Sequence, residues 1–332
     1  MSTSDAGIFL WMTYQTMQRM GLDAAAIFAG VNLPDEPPDK TLRRDNSTQQ
    51  RFWTTAEQIS QDPYIGLHVG ANMPVFRGQV IEYLFLSSST FGDGLQRTLR
   101  YQSILTNAFK LDLHLENDIA VLTGFEHSVR HYLECGLGVF LKFFKHISDN
   151  EFQPTEIWLT HPEFENSIEY QHTWGCPVRF GMPMGCIRFS SKLLQNPSPA
   201  AQPELLQIHE NLAEQHLHIL SKHQLVHDIE KLLGHGLLES GQLDQQLIAE
   251  QLGINPRSLR ADLQLINTTF EKIVANYREK LARRLLANTD ESIDQIVYLT
   301  GFSEPSAFSR AFKRWTGETP TTYRQRKFNK NL

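Results

Sequence analysis

GFSEPSAFSRAFKRWTGETPTTYR, residues 301–324, is the stretch that decides the fold of this chain. Phe308, Phe312 and Trp315 follow one another at spacings of four and three residues, so they share one face of a helix. An aromatic face of this kind is expected to be the buried side of a short helix. The opposite face is polar and partly basic, with Ser306, Ser309, Arg310, Lys313 and Arg314.

A second helix and a tight turn are predicted just before this one. Ile296 and Val297 mark the apolar side of the earlier helix. Gly301 can adopt the left-handed conformation that ends a helix, and Ser303 is expected to cap the helix that follows. Two short helices joined by such a turn form a helix-turn-helix unit.

The same arrangement occurs earlier in the chain, in LIAEQLGINPRSLRADL, residues 247–263. Gly253 suits the end of a first helix. Asn255 is expected to cap a second helix that has Pro256 at its first position. Leu259 is expected to pack this second helix against the core. The pattern therefore predicts another helix-turn-helix unit.

A long amphipathic helix from Phe270 to Leu286 is predicted between the two units and could hold them at a fixed separation. Two short helices held roughly 34 Å apart can enter successive major grooves on one face of a DNA duplex. The charge distribution fits such a partner. The chain has a net charge of -6, yet residues 305–332 contain seven Lys and Arg residues against one acid, Glu318.

Arg310 is the best candidate for reading a base, because arginine can bind guanine O6 and N7 with two hydrogen bonds. Lys313, Arg314, Arg324 and Arg326 are expected to contact phosphates, which position a protein without specifying a sequence. The full set of residues expected to contact DNA is Arg257, Ser258, Arg260, Glu304, Ser306, Ser309, Arg310, Lys313 and Arg314.

The N-terminal part mixes helices and strands. The first hundred residues are predicted to be mainly helical, with Thr90 as a helix cap. Residues 109–125 alternate between apolar and polar side chains around a turn, which predicts a β-hairpin. Residues 131–147 and 163–174 are predicted helices, and three short strands are predicted at residues 156–160, 177–181 and 186–190. The expected fold is therefore an α+β N-terminal domain, residues 1–222.

The remaining residues, 223–332, are expected to form an all-α domain with two helix-turn-helix units joined by a long helix. The first unit is predicted at about residues 244–265 and the second at about residues 292–315. Just before this domain, one helical face carries Leu205, Ile208, Leu212, His216 and Ile219. Such a face is usually part of a core, and the alternative is a dimer interface.

The composition argues against several other classes of protein. Three cysteines without C-x-x-C spacing do not form a disulfide framework or a four-cysteine zinc site, and they are expected to be buried thiols in the cytoplasm. No apolar stretch is long enough to predict a membrane span, and the N-terminus does not resemble a signal peptide. His209-Glu210 lacks the second histidine of the zinc-protease pattern, and the sequence has no phosphate-binding glycine loop and no nucleophile elbow with partners. No metal site, cofactor or catalytic residue is therefore expected.

The two C-terminal motifs resemble the DNA-binding domain of the AraC/XylS family of transcription regulators. The resemblance is closest over Gly301–Arg324, and the N-terminal 220 residues are similar to the arabinose-binding-like effector domain of one branch of that family. It implies sequence-specific binding to promoter DNA, activation through RNA polymerase, a small-molecule effector and a homodimer. The first unit departs from the family pattern at Ala261, where a basic residue is usual, and the neighbouring Asp262 is expected to repel phosphates.

Three alternatives stay open. The chain could be a ligand-independent regulator, or a repressor that uses the same DNA-binding domain. It could also resemble the alkylation-repair response proteins, which fuse an AraC-type domain to an enzymatic domain with a zinc-bound cysteine. That domain needs four thiolate ligands, and this chain has three cysteines. A nucleoid-type DNA-binding protein would have no use for an acidic sensor domain of this size.

Overall fold

The computed structural model describes residues 3–31, 37–164, 167–239 and 243–328. The chain forms two compact units, Met1–Leu217 and His218–Leu332. The boundary expected from sequence, after residue 222, lies in the same helix as the boundary between these units. Within the described ranges, no helix is both long enough and apolar enough to cross a membrane.

The N-terminal unit is mainly helical over its first hundred residues, as predicted. Its helices are α1 (Gly7–Arg19), α2 (Ala24–Ala29), α3 (Gln49–Ser60), α4 (Ile65–Asn72), α5 (Val80–Ser87), α6 (Phe91–Tyr101), α7 (Arg130–Ile147) and α8 (Ser167–Trp174). Thr90 caps α6, because its hydroxyl accepts a hydrogen bond from the Asp93 amide at 3.1 Å. The predicted helix at 163–174 is observed as α8, and residues 165–166 lie outside the described part of the chain.

The strands form one small ribbon and one five-stranded sheet. They are β1 (Ser4–Asp5), β2 (Arg44–Asp45), β3 (Asp112–Glu116), β4 (Ile119–Thr123), β5 (Pro154–Trp158), β6 (Val178–Arg179) and β7 (Cys186–Ser190). The sheet has the order β3-β4-β7-β5-β6, and only its β5–β6 pair is parallel. The predicted hairpin is confirmed, with Leu113 opposite Leu122. The predicted α+β class is therefore confirmed.

The interpretation of the apolar stripe before the second unit as core is wrong. Helix α9 (Pro203–Leu232) exposes Leu205, Ile208, Leu212 and Ile219 to solvent by 40–59%. The helix carries a second apolar face, and Leu206, Ala213 and Leu217 on that face pack against the N-terminal core. Arg97–Glu210 and Arg100–Glu214 ion pairs, at 2.9 and 2.6 Å, help to hold α9 in this orientation.

The second unit is entirely helical over its described residues, as predicted. After α9 come α10 (Gln245–Gln251), α11 (Pro256–Leu265), α12 (Phe270–Asn288), α13 (Ile293–Leu299), α14 (Pro305–Thr316) and α15 (Pro320–Phe328). Two hydrophobic clusters stabilise it. The first core, which we define by Ile248, Leu259, Leu263 and Ile273, contains α10 and α11; the second core, defined by Leu286, Ile296, Phe308 and Phe312, contains α13 and α14. Helix α12 contributes to both.

The three cysteines are free and buried, which confirms the prediction of buried thiols. Burial raises the pKa of the Cys135 thiol to about 12 and those of Cys176 and Cys186 to about 11. All three are therefore protonated and unreactive at neutral pH.

A histidine bridge between α4 and α8 makes the stability of the N-terminal unit depend on pH. Nδ1 of His68 lies 2.6 Å from Asp62, and Nε2 lies 3.0 Å from Glu169. Burial alone would lower the pKa of His68, but the hydrogen bonds to Asp62 and Glu169 and their negative charges outweigh burial and raise it. A raised folded-state pKa means that protonation stabilises the fold fully below the unfolded pKa of about 6.5, and this contribution is lost as pH rises through the folded value.

We therefore expect His68→Gln to reduce the melting temperature more at pH 6 than at pH 8. Thermal melts of the full chain across this range measure the effect. His172→Gln, at an exposed position of α8, the helix that carries Glu169, serves as the control and should melt like the parent at every pH. A His68→Gln deficit that is the same at every pH would contradict this account.

Candidate nucleic-acid interface and an apolar cavity

The first helix-turn-helix unit consists of α10 and α11. Gly253 lies in the turn with a φ of 68°, and Asn255 caps α11 by accepting a hydrogen bond from the Arg257 amide at 2.8 Å. Leu259 and Leu263 are buried beneath α11. Both the predicted turn and the predicted cap are confirmed. The exposed positions along α11 include three of the predicted contact residues, Arg257, Ser258 and Arg260.

The second unit consists of α13 and α14. Gly301 has a φ of 69°, and a Cβ added there would lie 2.4 Å from the carbonyl oxygen of Leu238. Phe308 and Phe312 are fully buried in the second core, and Trp315 packs against it. The aromatic face of the opening stretch is thus the core side of α14, as predicted.

The prediction that Ser303 caps α14 is wrong. The cap residue is Glu304, and it makes no side-chain hydrogen bond to the first turn; its carboxylate instead accepts a hydrogen bond from the Ser306 hydroxyl at 3.3 Å. The cause is Pro305, which occupies the first helical position as Pro256 does in α11. The glycine-to-proline turn is therefore one residue longer in the second unit.

The polar side of α14 is available to a ligand. Glu304, Ser306, Arg310, Lys313 and Arg314 are exposed, and Ser309 is half-buried. Among the residues that the structure describes, no ion-pair partner lies beside Arg310, Lys313 or Arg314. Three cations without acidic partners on one short helix form a surface that favours an anionic polymer.

Two other basic residues, one at the end of the opening stretch and one just after it, make local contacts instead. Arg326 forms an ion pair with Glu318 at 2.5 Å, and the Nη2 atom of Arg324 donates to the Glu291 carbonyl oxygen at 2.6 Å. The expectation that both contact phosphates therefore loses support. Sequence alone did not show that Glu318 neutralises part of the charge at this end of the chain.

Asp262 in the first unit does not act as an isolated negative charge, contrary to the expectation that it would repel phosphates. Its carboxylate lies 2.8 Å from the Lys222 ammonium group of α9. Both side chains are largely buried, with 27% and 15% of their surfaces exposed. An ion pair within the protein cancels most of the field that Asp262 would present to DNA.

A cavity of about 190 Å³ lies in the N-terminal unit. Helices α1, α3 and α7 supply most of its wall, and strands β1 and β2 close one end. Its apolar lining consists mainly of Phe9, Leu10, Phe52, Trp53, Phe109, Val139 and Phe140. No sequence motif marks this site, because its lining residues come from elements that are separate in sequence.

Polar groups cluster at one end of this cavity. The Tyr132 hydroxyl lies 2.9 Å from both carboxylate oxygens of Asp5, and the Asn46 amide nitrogen donates to the Tyr132 oxygen at 3.3 Å. Burial raises the pKa of Asp5, and burial together with the Asp5 charge raises the pKa of Tyr132. Tyr132 therefore stays protonated and acts as a donor at neutral pH.

Two helix-turn-helix units with exposed recognition helices, joined by one long helix and preceded by a separate unit with a cavity, define a DNA-binding transcription regulator with a ligand-binding domain. Residues 21–198 match the family model described as the arabinose-binding domain of AraC transcription regulators, N-terminal, and residues 248–326 match a helix-turn-helix domain. The chain belongs to the AraC family of transcription regulators.

Relatives of known sequence agree with this assignment. The chain is 28% identical over 278 residues to the ornithine utilization regulator of Pseudomonas aeruginosa, a match that covers 82% of this chain and 81% of that protein. It is 30% identical over 164 residues to the HTH-type transcriptional regulator VirS of Mycobacterium tuberculosis, which covers 49% and 48%. These relatives are regulators and not enzymes, as predicted.

The transcriptional regulator CdpR from Pseudomonas aeruginosa is 20% identical, with a TM-score of 0.43, and the match covers 83% of this chain and 91% of that one.

Proposed function

We propose that this protein is a cytoplasmic transcription activator whose N-terminal unit binds a small-molecule effector and whose C-terminal unit binds promoter DNA beside RNA polymerase. The DNA-binding part of this proposal rests on the exposed face of α14. There Arg310, Lys313 and Arg314 have no acidic partner among the residues that the structure describes. The contact surface extends to Glu304, Ser306 and Ser309 of the same unit, and to Arg257, Ser258 and Arg260 of the first.

The effector acts by population shift. A ligand that binds one state of the N-terminal unit more tightly than another changes how often the chain adopts its active state. Family membership favours activation over repression. Transcription by purified RNA polymerase from a bound promoter, with and without the protein, separates activation from repression.

We expect Arg310→Ala and Lys313→Ala to weaken DNA binding in different ways. Arg310→Ala should cost about 1–3 kcal/mol and relax the preference at one base position, because a bidentate contact to guanine is lost. Lys313→Ala should weaken binding to all sequences and reduce the slope of log K against log salt by about 1. Binding to duplexes selected from a random-sequence pool, measured at several salt concentrations, tests both.

Arg326→Ala is the matched control, because its guanidinium group is already paired with Glu318. It should leave both the base preference and the salt slope close to those of the parent. If Arg310→Ala bound the selected duplex as tightly as the parent does, Arg310 would not be the base reader.

The exposed stripe on α9 supports a homodimer. Leu205, Ile208 and Leu212 recur every three and four residues and are 40–59% exposed, so a second copy of the stripe could bury them. We expect Ile208→Lys to raise the dissociation constant of the dimer by about 100-fold or more, because it places an unpaired charge in an apolar interface.

Sedimentation at several protein concentrations measures this dimer equilibrium. Gln207→Lys adds the same charge at the neighbouring exposed position, outside the stripe, and should dimerise like the parent. Equal effects of the two lysines would show that the stripe is not the interface.

A further inference from the structure

The cavity of the N-terminal unit is built for a compact apolar molecule. An apolar cavity of about 150 Å³ holds one benzene molecule. A cavity of about 190 Å³ therefore has room for one ring with a small substituent, or for an aliphatic molecule of similar size. Its wall is dominated by aromatic and aliphatic side chains, among them Phe52, Trp53 and Phe140. Such a wall leaves the many hydroxyls of a sugar without hydrogen-bond partners, at a large desolvation cost.

Most polar groups along the cavity wall are already used by the protein. The Thr13 hydroxyl donates to the Phe9 carbonyl oxygen at 2.9 Å, and the Gln49 side-chain oxygen accepts from the Trp53 indole at 3.0 Å. The carboxylate of Asp5 accepts from Tyr132. These groups do not require a ligand.

Asn46 is different. The residue is only 9% exposed and lines the cavity, and its Oδ1 atom has no hydrogen-bond partner among the residues that the structure describes. A buried acceptor that stays unpaired is costly. A ligand that donates a hydrogen bond at this end of the cavity would satisfy Oδ1, whereas a carboxylate would place a second acceptor against it.

The charges at this end balance one another. Asp5 and Asp45 carry negative charges, and Arg43 and Arg44 beside them carry positive charges. The Arg43 guanidinium group also donates to the Ser4 hydroxyl and to the Ile104 carbonyl oxygen. Because the four charges sum to zero, the cluster gives a charged ligand no net attraction to offset the cost of its transfer into an apolar cavity.

We propose that this cavity is the effector site and that its ligand is a small, uncharged, mainly apolar molecule with one hydrogen-bond-donating group, such as a hydroxyl, directed at Asn46 Oδ1. This inference rests on the proposed effector-controlled function. It names a ligand class that differs from a sugar and from a zwitterionic amino acid.

The test uses four probes on the full-length chain: p-cresol, toluene, 4-methylbenzoate and L-arabinose. Calorimetric titration should show that p-cresol binds about 5–10 times more tightly than toluene, which has the same ring and methyl group but no hydroxyl. The carboxylate and the sugar should bind more weakly than toluene does. Tightest binding of 4-methylbenzoate or L-arabinose would overturn the proposal.

Two variants locate the site. Asn46→Leu should bring the p-cresol and toluene affinities to within a factor of two of each other, while Gln50→Leu, an exposed control four residues further along in helix α3, should keep the parent ratio. Val139→Phe fills the cavity and should reduce the affinity for both probes at least tenfold. Unchanged affinities in a folded Val139→Phe variant would overturn the proposal, and if that variant did not fold, the Asn46→Leu ratio would decide alone.

DNA binding without probes separates this inference from the proposed function. A parent chain that binds its selected duplex but no p-cresol would refute the cavity assignment and leave the DNA-binding proposal intact. A chain that binds p-cresol with the expected preference but no DNA would support the ligand class and refute the regulator proposal.

Discussion

Gly301→Ala is expected to lower the free energy of unfolding of the second helix-turn-helix unit by about 2–5 kcal/mol. About 1–2 kcal/mol comes from forcing an alanine into the left-handed conformation, and about 1–3 kcal/mol comes from overpacking, because the new Cβ would lie 2.4 Å from the Leu238 carbonyl oxygen. The carbonyl belongs to backbone, so it cannot swing away as a flexible side chain would.

Gly253→Ala provides a matched control in the first unit. Gly253 has nearly the same φ, but no atom lies within 4 Å of its added Cβ, so only the conformational cost of about 1–2 kcal/mol applies. Amide hydrogen exchange of α10 and α13 in the full-length variants measures the two losses. Equal losses would mean that the contact with Leu238 contributes nothing.

Phe308→Ala and Leu259→Ala should destabilise different halves of the DNA-binding unit. Both side chains are fully buried, Phe308 in the second core and Leu259 in the first. Truncation is expected to cost about 3–5 kcal/mol for phenylalanine and about 2–5 kcal/mol for leucine. Because each core has its own set of side chains, Phe308→Ala should mainly expose the amides of α13 and α14, and Leu259→Ala those of α10 and α11.

Hydrogen exchange followed by mass spectrometry resolves the two halves, since they give separate peptides. Phe308→Leu keeps most of the buried volume and should lose much less protection than Phe308→Ala. A uniform loss of protection over both units in either alanine variant would show that the two cores unfold as one.

The most predictable parts of the fold were those that depend on residues close together in sequence. Asn255 caps α11 as expected because the cap depends only on residues next to it in sequence. The hairpin at β3 and β4 follows from alternating side chains around a turn. Ser303 failed as a cap because a neighbouring proline, Pro305, fixes the start of α14 more strongly than a serine hydroxyl does.

Contacts between elements that are far apart in sequence could not be predicted. Helix α9 has two apolar faces, and the sequence does not say that Leu206 and Ala213, rather than Ile208, meet the N-terminal core. The pairing of Asp262 with Lys222 needs two helices far apart in sequence. The cavity residues Asp5 and Asn46 meet only because β1 pairs with β2 and α7 packs beside them.

The extra residue in the second turn changes which position of α11 corresponds to a given position of α14. This correspondence matters for protein engineering. Counting from the two glycines would put Arg310 in register with Asp262, whose side chain is held by Lys222, whereas counting from the two prolines puts it in register with the exposed Ala261. One residue along a helix is a rotation of about 100°. A graft of the second unit's specificity onto the first must therefore be counted from Pro256 and would begin with Ala261→Arg.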